Sequence, residues 1–459
     1  SVIASLRILR YGWKMLHTSD LPVLDQDRNL VSQWQSRLPE ILDSPDEVLV
    51  EAMREIMEPA NLLFTHHLDI TGQAGGAVQL LSTICEERLD DRSIALTLLG
   101  GLGDVDSAEP SFVLWELGRM VAQNSELSSL FNAGLPDLES RLRNSDAAKE
   151  FMDKFDHFLE TFGSRGPNEW ETACETWGTN PPSVLTLIDR MRLTDAHNSP
   201  KVRALELSKK RETATLDARK ELKGFGSWLF EKALHSSILF SQARERSKTT
   251  IVDLIHVARL ITRELANRTA EQRKNAELID LWFILESELD EFIDNPSAFD
   301  AKISERKRVR GELSTRIPPF IFEGKIPDPS TWPLRSAVKA NNSQHAKEGQ
   351  ILKGFGGCPG VAEGIAKIIK DPSDPQDLGP GDILIAPLTD PSWTPLFVPA
   401  EAVVVNVGGQ MSHAVIVSRE LGMPCVVAVK DATDIIKDGT RIRVDGATGE
   451  VTILETPQS

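Results

Sequence analysis

The chain has 459 residues, and 51 Lys plus Arg stand against 68 Asp plus Glu, giving a formal net charge of −17. That length predicts two to four domains. The acidic balance argues against nucleic acid or an anionic membrane as main partner, since both select basic surfaces, and no apolar run nears the roughly 20 residues that span a bilayer. The opening stretch SVIASLRILRYGWKMLH lacks the unbroken apolar core and small-residue cleavage site of a signal peptide. Cys85, Cys174, Cys358 and Cys425 are scattered with no CxxC pair, so neither a disulfide framework nor a zinc knuckle is indicated. A soluble protein of the reducing cytoplasm is expected.

Residues 1 to about 335 are rich in Leu, Glu, Arg and Ala at helical spacing. In AAKEFMDKFDHFLETFG (147–163), Phe151, Phe155, Phe158, Leu159 and Phe162 fall on one face, and Gly163 stops the helix. In DLIHVARLITREL (253–265), Leu254, Val257, Ala258, Ile261 and Leu265 form another stripe. Breakers cluster at LLGGLGD (98–104), RGPNE (165–169) and TNPPS (179–183). Residues 336–350, polar and poor in apolar side chains, have linker composition. Beyond them, 351–459 alternates glycines with short β-branched runs: GIAKII (364–369), DILIA (382–386), AVVVNV (402–407), CVVAV (425–429), RIRVD (441–445) and EVTIL (450–454). One helix, Ser412 to Leu421, interrupts these strands. The expected architecture is a large all-α domain followed by a small α/β domain.

The sharpest motif is GGQMSHAVIVSRELGMPCVV (408–427). A strand ends at Gly408 and Gly409, which allow a tight turn and close backbone approach. Ser412 is a good N-cap, and Gly422 with Pro424 ends the helix. His413 then lies on an exposed first turn, where free amides and the helix dipole favour an anion. An imidazole so placed can act as nucleophile toward phosphorus, and Gly409, Ser412 and, from the helix end, Arg419 are candidates to hold the phosphate. In the helical part, Arg244 and Lys248 share a face one turn apart with Glu245 beside them. Two cations can orient a phosphoryl group while Glu245 takes a hydroxyl proton. Arg165 and Glu169, in a Gly/Pro loop, are a further edge of such a site or an ion pair beneath the turn. His66 and His67 are adjacent, so they point to different faces of a helix, and no metal site is expected. Trp115, Trp170, Trp177, Trp282 and Phe283 are candidates for the core or for an apolar pocket.

The last domain resembles the swivelling phosphohistidine domain of the phosphoenolpyruvate-utilising enzymes, whose signature is two glycines, two residues, Thr or Ser, His, then an apolar helix with RELG and Pro. The likeness runs from GCPGVAEGIAKII (357–369) through LTDPSWTPLF (388–397) to VDGATGEVTIL (444–454). It implies that His413 is transiently phosphorylated. With a large helical domain preceding the swivelling one, and the chain stopping soon after the last strand, the order resembles that of the rifampin phosphotransferases rather than of members with a phosphoenolpyruvate-binding barrel. FGSRGPNEWETACETWGTNPP (162–182) is similar to their Gly-His-Arg-Gly stretch, RERSK (244–248) to their Arg-Glu-x-x-Lys segment, and AELIDLWFILESELDEFI (276–293) to a recurrent helix. Ser164 stands where the family usually has His.

The resemblance implies a helical acceptor-binding domain (1–335), a linker (336–350) and a swivelling phosphohistidine domain (351–459). It implies a dikinase-type reaction in which ATP, water and an organic alcohol, rifamycin-like or another natural product, give AMP, phosphate and the phosphorylated acceptor. No ATP-grasp pattern is legible, so ATP and Mg are expected on a part that has been removed, as the Ser start suggests, or is a separate subunit; none is expected on this chain. The alternative is a phosphorelay protein that passes the group to a protein partner. A large apolar pocket between helices would favour the small-molecule acceptor.

Overall fold

The computed structural model describes residues 2–103, 105–195, 199–319, 321–337, 345–372 and 374–457. Its spine is the 48-residue helix Gly224–Glu271, about 72 Å long at 1.5 Å per residue. A helix of that length is sheltered on several sides, and its apolar residues face more than one neighbour. Ile251, Leu254, Val257, Ile261 and Leu265 share a core with Val31, Trp34, Leu49 and Val50 of the helices Val23–Leu42 and Asp46–Glu55. Nearer its start, Phe240 and Ala243 close on Ala74 and Ala77 of the 33-residue helix Met57–Leu89, where small side chains permit close approach.

The phenylalanine stripe behaves as its spacing predicts. Phe151, Phe155 and Phe158 of helix Lys149–Phe162 are fully buried beside Trp177. At its end the backbones of Gly163 and Gly178 touch, the Gly178 amide donating to the Gly163 carbonyl at 2.9 Å. A Cβ on Gly163 would stand 2.3 Å from the Leu159 carbonyl oxygen and 3.1 Å from the Gly178 Cα. This contact folds residues 163–178 back on themselves and fixes the loop that carries Arg165 and Glu169.

The segment 276–293 departs from its expected helix. It breaks into the 3-10 turns Leu278–Phe283 and Glu286–Glu288 and the short helix Leu289–Asp294, with Ile284 extended between them. The cause is electrostatic. Asp280 accepts from the Glu277 amide and is gripped by Arg273 at 3.0 Å and by Lys307, which pins the chain where a helix would have carried it away.

The C-terminal part is one eight-stranded mixed sheet in the order β1-β8-β7-β3-β4-β5-β6-β2. Its strands are β1 (Ile351–Lys353), β2 (Phe355–Cys358), β3 (Val361–Ile368), β4 (Asp382–Ala386), β5 (Ala402–Val405), β6 (Cys425–Val427), β7 (Arg441–Asp445) and β8 (Glu450–Glu455). The pairs β3–β4, β4–β5 and β5–β6 are parallel and the rest antiparallel. Only Gly354 separates β1 from β2, yet they occupy opposite ends of the order, so the sheet curls until this segment closes it. At that corner a Cβ on Gly354 would meet the Val427 carbonyl oxygen at 2.5 Å. Besides the helix His413–Leu421, short helices form at Thr394–Phe397 and Ala432–Ile435.

One continuous core joins the sheet to the helices. Trp393, Leu396, Phe397, Val415 and Val417 cluster with Leu114, Phe151, Trp177, Ile188 and Met191. Polar contacts stitch the same seam. The Gly101 amide donates to the Arg419 carbonyl at 2.9 Å, those of Leu102 and Gly103 to the two Glu420 carboxylate oxygens at 3.0 Å each, and that of Asn168 to Asp390 at 3.1 Å.

Candidate active site

The seam brings His413 against the helical body. The helix His413–Leu421 starts after β5 and the 408–412 turn, and Gly422 ends it in the left-handed conformation at φ +70°. A Cβ on Gly408 would crowd Val427 and the Ser412 hydroxyl, whereas Gly409 faces open space and accepts the Ser412 amide at 2.9 Å. Ser412 occupies the N-cap position without making a cap bond, and its hydroxyl is buried with no partner. His413 is half-buried rather than on an exposed turn, because the segment 389–397 and the helical body both cover it. Its Nδ1 lies 3.1 Å from the Thr389 hydroxyl and its Nε2 3.0 Å from the Thr394 hydroxyl. Burial, then the charges of Lys248, Arg165 and Arg244, hold its pKa well below the usual value. The imidazole is therefore neutral at pH 7, with three cations in front of it.

Those cations belong to a charged cluster in the helical body. Arg165 is buried and bonds Glu169 at 3.2 Å and the Thr249 hydroxyl at 2.5 Å. Glu169 is fully buried and also pairs with Lys248 at 3.0 Å. Arg244 pairs with its chain neighbour Glu245, which is 2 % exposed. Arg244 and Lys248 then hold the Glu245 carboxyl below its ordinary pKa against the opposing effect of burial. Ser164 donates to Asp253 at 2.7 Å. Thus Arg165, Glu169, Arg244, Glu245 and Lys248 come together, and the three cations among them act on His413. Arg419 is placed elsewhere: it is buried against β2, where its Nε donates to the Gly357 carbonyl at 3.0 Å.

Three side chains at this site were not singled out from sequence. Thr389 and Thr394 lie within LTDPSWTPLF, and a threonine one or two residues ahead of each proline was their only signal. His67 was weighed only as a metal ligand beside His66. The two do diverge: His66 bonds Asp27 at 2.9 Å, whereas His67 turns to Ser247 at 2.8 Å and faces the Arg244–Lys248 pair. Among the described residues no group of three or more His, Cys, Asp or Glu could hold a metal ion, and no helix is long and apolar enough to cross a membrane.

Residues 66–245 match the fourth domain of rifampicin phosphotransferase, and residues 378–449 match the mobile domain of the PEP-utilising enzymes. The chain is a PEP-utilising-enzyme relative resembling rifampicin phosphotransferase. It is 27% identical over 424 residues to the rifampicin phosphotransferase of Streptomyces sviceus, covering 91% of this chain and 47% of that protein. The rifampicin phosphotransferase of Bacillus subtilis is 30% identical over 322 residues, with 68% and 36% covered. An uncharacterised phosphotransferase of Bacillus subtilis, YvkC, is 25% identical over 354 residues, with 76% and 42% covered. The chain thus spans less than half the length of each of these relatives. Among solved structures, holo aconitase X of Thermococcus kodakaraensis aligns with 23% of this chain over its full length, at 24% identity and a TM-score of 0.20. His413 falls in the mobile-domain match, and Arg165, Glu169, Arg244 and Glu245 fall in the fourth-domain match.

Proposed function

We propose that this chain is the acceptor-side part of a dikinase-type phosphotransferase. His413 takes a phosphoryl group that originates in ATP and hands it to a hydroxyl of an organic acceptor on the helical body. The other products are AMP and phosphate, and ATP with Mg is handled by an ATP-grasp part in cis or on a separate subunit, in the cytoplasm. The observation that carries this reading is the neutral imidazole facing Lys248, Arg165 and Arg244. A neutral nitrogen has the lone pair that attacks phosphorus. The same cations then offset the charge of the phosphoryl oxygens as the group moves on. Ser412, with its unpartnered hydroxyl, and the first amides of the helix complete the cradle. Glu169 and Glu245 keep the cations aimed.

A small-molecule acceptor is favoured over a protein partner by a largely apolar cavity of about 560 Å³ in the helical body, lined by Met53, Met57, Leu281, Trp282 and Leu289. That is the size and chemistry of a ligand pocket. Thr172 on its wall belongs to the loop that carries Arg165 and Glu169, and Ala258 and Thr262 on another wall belong to the helix that carries Lys248. From Lys248 those two positions are 10 and 14 residues along, about 15–21 Å. Phe64 and Trp170, in edge-to-face contact at 6.2 Å and both exposed, belong to the two segments that connect cavity and cluster: Trp170 lies between Glu169 and Thr172, and Phe64 two turns after Met57. An acceptor that fills the cavity and reaches His413 is therefore long and apolar. The docked arrangement is the transfer pose, and loading from ATP requires the sheet domain to leave it.

The test is His413→Ala in the chain combined with its ATP-grasp part. Label from β-³²P ATP should appear on the wild-type chain and vanish in the variant. Undiminished labelling of the variant would refute the carrier role.

A further inference from the structure

We infer that His67 is the base that takes the acceptor's hydroxyl proton as the phosphoryl group leaves His413. The inference rests on the phosphohistidine reading above and adds to it the residue that activates the acceptor.

Position comes first. His67 lies three residues after Phe64 on the helix Met57–Leu89, so both occupy one face. Its ring centre is 6.3 Å from that of Trp170. Trp170 directly follows Glu169, so His67 stands beside the Phe64–Trp170 pair at the edge of the charged cluster. Its charged neighbours are Arg244, Glu245 and Lys248 of the long helix, and two of these also act on His413. Both histidines feel the charges of Arg244 and Lys248.

Hydrogen bonding then fixes the tautomer. The Ser247 hydroxyl donates to the Arg244 carbonyl at 3.0 Å. Its single proton is spent, so it can only accept from His67 Nδ1 at 2.8 Å. Nδ1 carries the hydrogen and Nε2 keeps its lone pair, which meets the Thr71 hydroxyl at a long 3.5 Å. An imidazole held this way is oriented as a base.

Each carboxylate nearby already has a partner; Asp106 has the Thr249 hydroxyl and the Arg165 charge. Glu245 is taken by Arg244, and Glu169 by Arg165 and Lys248. Asp253 accepts from Ser164, and Asp390 from Asn168 and Ser392. Burial and the adjacent cations lower the His67 pKa to about 4, so the ring is unprotonated at pH 7. A phosphoryl dianion arriving on His413 cancels part of the field of Arg244 and Lys248. The proton affinity of His67 rises when the base is needed.

The step balances. The acceptor oxygen bonds to phosphorus, the P–N bond to His413 breaks, and its electron pair returns to the imidazole. The hydroxyl proton passes to His67 Nε2 and then to water. His413 keeps the hydrogen on its other ring nitrogen throughout, so the products are the phosphorylated acceptor and two neutral histidines.

The experiment loads the full chain with phosphoramidate, removes the donor, adds excess 1-propanol and follows propyl phosphate and free phosphate by phosphorus NMR. His67→Gln should load as the wild type does but lose its label roughly 10²–10⁴-fold more slowly. Imidazole added to His67→Ala should restore part of the rate, which a structural role would not allow. Ser247→Ala, which removes one oxygen, should slow transfer about 10-fold by releasing the tautomer. Wild-type release by His67→Gln, a loss that imidazole does not restore, or a wild-type chain that discharges no faster than free phosphohistidine would each overturn the proposal. Undiminished loading of His413→Ala would sink the phosphohistidine reading itself, and this inference with it.

Discussion

Glu420 is the most heavily used polar group on the seam between sheet and helices, and removing it should loosen that seam by a calculable amount. Its two carboxylate oxygens each accept one backbone amide, from Leu102 and Gly103, at 3.0 Å, and the residue is 4 % exposed. A hydrogen bond to a charged group is worth about 1.5–3 kcal/mol, so two would give about 3–6 kcal/mol at face value. Two facts lower that figure. The Gly103 backbone is exposed, so its amide regains water when the carboxylate goes. Burial also pushes the Glu420 carboxyl above its ordinary pKa despite the amides and the nearby Arg211 and Arg419, so desolvation consumes part of the gain. A net cost of about 2 kcal/mol for Glu420→Ala follows, or roughly a 30-fold shift toward the undocked state at 1.4 kcal/mol per tenfold. Amide hydrogen exchange reads this directly. Protection at Gly101, Leu102 and Gly103 should fall about 30-fold, while amides inside β3, β4 and β5 keep theirs. Unchanged protection at 101–103 would refute the latch. Equal loss throughout the sheet would show that Glu420 supports the fold and not the docking.

Other outcomes follow from the same geometry. His67 and His256 both have pKa values lowered to about 4 by burial and neighbouring cations. The unfolded chain therefore binds protons that the folded chain refuses, and stability present above about pH 6.5 is lost as pH falls toward 4. Between pH 7 and 5 each should cost about 2 kcal/mol, seen as a lower urea midpoint; equal midpoints would contradict it. Glu169→Gln strips a fully buried carboxylate from between Arg165 and Lys248. Leaving buried cations unpaired should cost about 3–5 kcal/mol, and an unchanged Tm would count against the cluster. Limited proteolysis should cut first between Trp332 and Gln350, a span of linker composition whose described residues from 332 to 337 are exposed or nearly so; early cuts inside Gly224–Glu271 would argue against a boundary there.

What the sequence disclosed and what it withheld divide along the range of the forces involved. The His413 helix was legible because its determinants lie within 15 residues: two glycines, a strand end, an apolar face and a glycine stop, all satisfied locally. The Phe151–Phe155–Phe158 stripe was legible for the same reason, since periodicity names a buried face without naming what covers it. The closing segment 351–358 was missed because each half is too short and glycine-rich to read as a strand, and only pairing with β8 on one side and β6 on the other makes it one. The break in 276–293 was missed because its cause, Arg273 and Lys307 on Asp280, acts from outside the periodic pattern. Ser412 has the residue type of a cap but not its bond, and Arg419, read as reaching the phosphate, meets the Gly357 carbonyl; neither geometry follows from residue type and helical spacing. The acceptor side shows the division within one site. Arg244, Glu245 and Lys248 could be grouped from the sequence because a single helix presents them together. Their use depends on Arg165 and Glu169 from a loop pinned by Gly163 and Gly178, and on His67 from a helix some 180 residues earlier, which bonds Ser247. A histidine beside another histidine reads as surface or metal chemistry until the partner helix is in place. Only then does the serine between Arg244 and Lys248 set the tautomer of a ring weighed from sequence only as a metal ligand, and suit it to the role of base inferred above.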